Sequence, residues 1–170
     1  MRKVEVIPYQ EQWSFMFEEE ANHLHHLFGD EIIDIYHIGS TAVNGLKAKP
    51  IIDIMPVVKD INKIDTFNMD MKSLGYEPKG ENGIPNRRYF QKGGDNRTHH
   101  VHIYQEGDPN IERHLAFRDY LREYSVWRKI YSNLKEELAQ KFPNDIESYI
   151  IGKEQLVLDI ERNAIAWYRD

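Results

Sequence analysis

The sequence predicts an α+β (mixed α/β) chain, with a mixed β-sheet, flanking helices and a helical last third. Three observations carry that expectation. Two apolar, β-branched runs at 31–38 and 51–58 have the length of strands rather than helices. Shorter alternating segments between Gly-, Pro- and Asn-rich turns follow as far as Tyr104. Beyond Gly107 the apolar residues recur at steps of three and four, the period of an amphipathic helix.

In chain order, Val4 and Val6 open a short extended piece, and Pro8 suits the first turn of a helix, where its missing N–H costs nothing. Trp13, Phe17, Ala21, Leu24 and Phe28 form the apolar stripe of that helix, which ends at Gly29. His23, His25 and His26 fall off the stripe and belong to solvent. The runs 31–38 and 51–58 are the two core strands. Asp60 or Asn62 caps a helix to Leu74 that turns Ile64, Phe67, Met71 and Leu74 inward, and Gly75 closes it. Strands at 76–79 and 87–91 flank a turn at 80–86, and a second turn at 93–96 leads to a strand over 98–104. Asp108 and Pro109 start a helix to about Tyr124. The next spans 126–142, with Ile130, Leu134 and Leu138 spaced by four, until Pro143 breaks it. Asn144 and Glu147 form a capping box for a last helix carrying Leu156, Ile160, Ala164 and Trp167, which Gly152 interrupts. The expected organisation is one domain over 1–170, a sheet core at 1–106 with a helical part at 107–170 packed on it.

Composition narrows the functional classes. A chain of 170 residues buries about 70% of its unfolded surface and needs no disulfide or structural metal. It has no cysteine, so disulfide frameworks and thiolate chemistry are excluded. No apolar run approaches the roughly 18 residues of a membrane span, and the mean hydropathy is −0.67. The start, MRKVEVIPYQ, is too short in its apolar part for a signal peptide, so a cytoplasmic location is expected. A formal net charge of −6 argues against a general nucleic-acid binder. The Lys and Arg residues concentrated between Lys79 and Arg97 still allow a local anion pocket.

The stretch His37 to Val58, HIGSTAVNGLKAKPIIDIMPVV, holds the most chemistry. A Gly-Ser pair directly after a strand permits a sharp turn and close approach to a ligand, and amides opening the next helical turn can hold a phosphate. Asp53, in an otherwise apolar strand, must meet a cation, a donor or water at the strand end. Twelve residues separate Ser40 from Asp53.

That spacing resembles the nucleotidyltransferase superfamily, in which Gly-Ser precedes a strand bearing Asp-x-Asp/Glu. The second acid position here is Met55. The wording resembles the GrpB (UPF0157) branch still more closely: His37, Gly39, Ser40, Thr41, Val43, Gly45, Leu46, Lys49, Pro50 and Asp53 all match its hallmark run. The resemblance implies a nucleotidyltransferase-like sheet, a phosphate-binding turn at Gly39, Ser40 and Thr41, and a catalytic Asp53.

On the strand 98–104, His100, His102 and Tyr104 share one face, and His99, Val101 and Ile103 the other. The superfamily's third acid is missing from this strand and histidines stand in its place, with His102 at a position the family shares. Asp53, His100 and His102 make a workable divalent metal site for Mg²⁺, Mn²⁺ or Zn²⁺. A carboxylate ~4 Å from a cation gains about 4 kcal/mol at an effective dielectric near 20. Replacing two of three acids by Met55 and imidazole therefore shifts preference from hard Mg²⁺ toward a softer ion. Lys49, Arg87, Arg88 and Arg97, with Lys153 further on, supply cations for a phosphate. Strand alternation turns either Arg87 or Arg88 to the site, and the resemblance selects Arg88. Arg113 to Arg122 matches a further family segment, in which His114, Arg118 and Arg122 form one polar helix stripe.

The expected function is binding of a nucleotide or phosphorylated small molecule, with transfer of a nucleotidyl group to a small acceptor. Asp53, His102 and Lys49 are its expected catalytic residues; Gly39, Ser40, Thr41, Arg88 and Lys153 bind the nucleotide. Two alternatives stay open: a metal-dependent hydrolase using Asp53, His100 and His102, with His37 as a further member, and a non-catalytic nucleotide-binding module. No membrane or nucleic-acid partner is expected, and the oligomeric state, acceptor and base are left open.

Overall fold

The computed structural model describes residues 2–170. In chain order its elements are α1 (Gln12–Phe28), β1 (Ile32–Ile38), β2 (Ile52–Val58), α2 (Asn68–Ser73), β3 (Tyr76–Pro78), β4 (Arg88–Lys92), β5 (His99–Gln105), α3 (Pro109–Glu123), α4 (Ser125–Lys141) and α5 (Ile146–Tyr168). Short 3₁₀ turns lie at Gly29–Glu31, Ser40–Ala42 and Ile61–Phe67. The five strands form one mixed sheet in the order β1-β2-β5-β4-β3. Among the described residues only β2 and β5 run parallel. The register sets Asp53 between Ile38 and His100, and His102 opposite Tyr89.

Strand alternation decides what each sheet face carries. Ile52, Ile54, Phe90, Val101 and Ile103 turn to one face, where Trp13, Leu24 and Phe28 of α1 and Ile64 and Met71 cover them. Each such fully buried aliphatic side chain contributes about 1.5–3 kcal/mol. Asp53, Met55, His100, His102 and Tyr104 turn to the other face. The C-terminal helices close that side by packing on the segment after the Gly-Ser turn: Val43 and Leu46, both 0% exposed, meet Leu121, Tyr131 and Ile160. Among the described residues no helix is long and apolar enough to cross a membrane.

Four local expectations are corrected. Pro8 lies ahead of α1 because Ile7 exchanges two backbone hydrogen bonds with Ala48, which keeps the chain extended there; the residue before a proline also disfavours helix. Residues 61–67 are 3₁₀ rather than α-helix. The Asp60 carboxylate accepts from Asn62 N at 3.0 Å and so tightens the first turn. Asp145, not Asn144, caps α5, taking Ser148 N at 3.1 Å and Ser148 Oγ at 2.5 Å. Gly152 does not interrupt α5. A Cβ there would sit 2.5 Å from Leu138 Cδ2, so the glycine allows α4 and α5 to approach closely.

The α1-covered face also holds a buried polar group, Glu20. Its Oε1 accepts from Tyr76 Oη at 3.0 Å and from Lys92 Nζ at 3.1 Å. Glu20→Ala strands both donors, and the expected loss is about 2 kcal/mol, a fall of about 4–8 °C in Tm for a chain this size. Urea or thermal unfolding measures it; an unchanged Tm would show that Tyr76 and Lys92 find water instead.

Candidate functional site

The turn after β1 places the first groups. Gly39 adopts φ 73°, ψ −171°, a region almost closed to residues with a Cβ. The lack of a Cβ also admits a neighbour: one built at Gly39 would lie 2.6 Å from Asp53 Oδ2. Gly39 and Asp53 are thus fitted to each other, as Ile38 pairing with Asp53 across the two strands requires. Ser40 follows, and its Oγ accepts a hydrogen bond from Lys135 Nζ at 2.8 Å. Thr41 is buried and its Oγ1 lies 2.9 Å from His37 Nε2.

Asp53 is about one quarter exposed (26%) and opens to a cleft. Its Oδ1 lies 3.0 Å from His102 Nε2 and 3.5 Å from His100 Nδ1. Burial alone would raise this carboxyl, but the hydrogen bonds from His100 and His102 outweigh it and hold the group below the ordinary carboxylate range. Burial pushes the His102 imidazole down, against the pull of Asp53. Tyr89 lies against both imidazoles, with ring centroids 5.3 Å from His102 and 5.7 Å from His100.

Asp53, His100 and His102 each offer a donor atom, all within 4.8 Å of one another, and could hold a metal ion. By spacing alone they match a single ion with one oxygen and two nitrogen ligands, provided that both facing ring nitrogens carry lone pairs. Bound there, the ion would supply a Lewis acid at the carboxylate's end of the cleft.

Two hollows, of about 500 Å³ and about 620 Å³, share Ser40, Asp53, His102, Ile150 and Lys153. The larger is cationic, with Lys49, Lys135, Lys153 and Arg87 facing the one acid, Asp53. The Lys49 and Lys153 ammoniums sit 5.0 and 5.4 Å from the centroid of the Tyr149 ring, and Lys135 lies 4.1 Å from that of Tyr131. Burial first, then Lys153 and Arg2, push Lys49 down to about 7. Burial, Lys153 and Lys49 hold Lys135 well below its usual value. The second hollow is walled by Ile38, Phe117, Tyr131, Ile150, Ile151 and Val157 and lacks that concentration of lysines.

The structure therefore brings together Gly39, Ser40, Thr41, Lys49, Asp53, His100, His102 and Lys153. It does not bring Arg88. The Arg88 guanidinium is on the opposite face, paired with Asp65 at 2.8 and 3.3 Å. Arg88 shares its side of β4 with the core residue Phe90, so alternation sends Arg87 to the histidines. Arg87 Nη1 lies 3.5 Å from His102 Nδ1. His37 is also on the far face, stacked on Phe17 at 4.8 Å. Burial lowers it to about 4, with Arg122 and Arg118 adding to the effect against Asp53.

Sequence reasoning missed Lys135 and underweighted His114. Lys135 had a legible signal: it shares a helical stripe with Tyr131 and Leu138, four and three residues away, both buried. His114 belongs to the α3 stripe and reaches the site, its ring 5.6 Å from His102. The rest of that stripe fastens α3 to the turn, Arg118 donating to His37 O at 3.3 Å and Arg122 to Ala42 O at 2.8 and 3.0 Å.

A Gly-Ser turn against an acid-bearing strand of a mixed sheet, capped by helices, defines a protein of nucleotidyltransferase-like fold. A structure of the Cid1 poly(U) polymerase bound to MgATP shares that fold with a TM-score of 0.51 at 14% identity, over 79% of this chain and 44% of that one. The family is shown directly: residues 3–163 match the model of the GrpB protein family, and the chain belongs to that family. The crystal structure of GrpB from Enterococcus faecalis superposes with a TM-score of 0.94 at 43% identity, covering 98% of this chain and 100% of that one. YqkA of Bacillus subtilis, a UPF0157 protein, is 52% identical over 166 residues, 98% of this chain. The chain spans about half of YqkA's length, 48%.

Proposed function

We propose that this chain binds a nucleoside polyphosphate in the cleft and transfers its nucleotidyl group to a small acceptor. The observation that carries the reading is the gathering of three lysines in the hollow that Ser40 lines, with a single carboxylate, Asp53. A buried ammonium such as that of Lys135, without a carboxylate partner among the described residues, is costly, and a phosphate chain would neutralise the three. Lys49, Lys135 and Lys153 then hold the phosphates and oppose the charge that develops on the departing pyrophosphate. The Gly39–Ser40 turn brings backbone close to the phosphate, and Asp53 holds the divalent ion that accompanies it. The acceptor oxygen or nitrogen forms a bond to the α-phosphorus as the bond from that phosphorus to the bridging oxygen breaks; the acceptor proton leaves to solvent. The apolar second hollow accommodates the less polar portions of the reactants.

The test is a panel of nucleoside triphosphates with Mg²⁺ or Mn²⁺, each with and without small hydroxyl and amine acceptors, read by thermal shift and by pyrophosphate release. Ligands that bind the native state raise Tm, so triphosphates should stabilise more than monophosphates. Asp53→Asn should keep the fold and lose pyrophosphate release. No stabilisation by any triphosphate, or unchanged turnover in Asp53→Asn, sinks the proposal. Pyrophosphate release without an added acceptor would identify water as the acceptor and the chain as a hydrolase.

The lysines also set a pH dependence. Lys49 is lowered to about 7 from an unfolded value near 10.5. Between those values the unfolded chain binds more protons, so the ligand-free protein gains stability as pH rises from about 7. Anion binding runs the other way, because it needs the charged ammonium. Sulfate keeps its charge over this range, and the rise in Tm that it produces should be larger at pH 6 than at pH 8.5. An equal or larger shift at pH 8.5 contradicts the assignment of Lys49 to the anion site.

A further inference from the structure

The far nitrogens of the two site histidines face arginines rather than acceptors. Arg97 Nη1 lies 3.2 Å from His100 Nε2, and Arg87 Nη1 lies 3.5 Å from His102 Nδ1. A guanidinium has five N–H donors and no acceptor. The ring nitrogen facing it must therefore present a lone pair. In a neutral imidazole the other nitrogen then carries the proton: Nδ1 in His100 and Nε2 in His102. Those are the atoms that lie 3.5 and 3.0 Å from Asp53 Oδ1. Two arginines on separate loops thus impose opposite tautomers on two histidines, with one outcome: both protons point at the same carboxylate oxygen.

We propose that Arg87 and Arg97 fix His102 and His100 as donors to Asp53, which closes the three-ligand position to a free divalent ion. His100 and His102 are then positioning residues, and a cation has only Asp53 Oδ2 to meet. Oδ2 faces Gly39 and takes no hydrogen bond among the described residues. A hard ion such as Mg²⁺ or Mn²⁺ arriving already bound to an anion suits one carboxylate oxygen; a free Zn²⁺ or Co²⁺ seeking two imidazoles does not. Ligation by His100 Nδ1 and His102 Nε2 would move both protons to the far nitrogens, where each N–H would point at an arginine N–H. Metal-bound histidines ordinarily donate that proton to a carboxylate, a carbonyl or water. The arginines are not free to withdraw. Arg87 donates to Glu81 O at 3.1 Å and Asn82 O at 2.8 Å, and Arg97 donates to Gly94 O at 2.6 Å.

Two measurements on the full chain test this, and neither needs nucleotide or turnover, so they succeed or fail apart from the transfer reaction. Long-range ¹H–¹⁵N spectra of the imidazoles should show His100 protonated at Nδ1 and His102 at Nε2; the reverse tautomers would overturn the proposal. In the second, Co²⁺ is titrated and followed by visible absorption. The wild type should show no stoichiometric histidine-ligated Co²⁺. Arg87→Gln with Arg97→Gln, whose amide carbonyls can accept the far protons, should raise Co²⁺ affinity by about 10–100-fold. Stoichiometric Co²⁺ on the wild type, or no gain in a folded variant, counts against it. If the double variant does not fold, the wild-type spectra decide alone.

Discussion

Lys135→Met is expected to raise the melting temperature while weakening anion binding. Lys135 is only 2% exposed, and its ammonium meets Ser40 Oγ and the Tyr131 ring, with no carboxylate at ion-pair distance among the described residues. Burial, Lys153 and Lys49 all act against its charge. Methionine fills a similar volume without the charge, and such replacements of buried ionic groups are neutral or stabilise by about 1–4 kcal/mol. At about 2–4 °C per kcal/mol the gain is readily measured. A charge-assisted hydrogen bond to an anion contributes about 1.5–3 kcal/mol, so affinity for sulfate or a triphosphate should fall by about 10–100-fold. Such opposed effects mark a residue kept for function at the expense of stability. A loss of stability with unchanged affinity would make Lys135 a structural bond to Ser40 and nothing more.

Gly39→Ala should damage fold and site together. Its φ of 73° with ψ of −171° costs a residue with a Cβ about 1–3 kcal/mol. The new methyl would also lie 2.6 Å from Asp53 Oδ2, so the carboxylate or the turn must move. Either shift breaks the alignment of Asp53 with His100 and His102. The expected result is a fall of several degrees in Tm, at about 2–4 °C per kcal/mol, together with loss of triphosphate-dependent stabilisation. Gly29, where a Cβ would meet nothing within 4 Å, provides the control: Gly29→Ala carries backbone strain alone and should leave ligand stabilisation intact. If the two variants behave alike, close approach to Asp53 does not matter.

Much of this site could be read before any coordinates. Alternation along 98–104 put His100 and His102 on one face, because period-two geometry acts locally, and the resemblance to the nucleotidyltransferase pattern set that face beside Ser40 and Asp53. Lys49 lies four residues before Asp53 in the same matched run. Arg87 was harder. Alternation narrowed the choice to Arg87 or Arg88, but only the packing of Phe90 against the α1-covered face identifies which side of β4 is the core. Gly152 shows the same limit from another direction: its neighbour is Leu138, on a different helix.

The sequence by itself determined the mixed sheet, the helical last third, the membership of a family and the acid-and-histidine pair of strands. Local backbone preference and the alternation of side chains suffice for the strands and helices, while the family and the type of sheet came from the resemblance of the run from His37 to Asp53. Tertiary structure alone decided that Lys135, 95 residues beyond Ser40, supplies its hydrogen bond, and that guanidiniums from two loops face the imidazoles. The Lys135 contact joins segments far apart in the chain, whereas Arg97 lies three residues from His100 and Arg87 fifteen from His102. No local periodicity encodes the first, which exists only once α4 folds back over the sheet, and the two arginines depend on how the loops beside β4 and β5 turn toward the imidazoles.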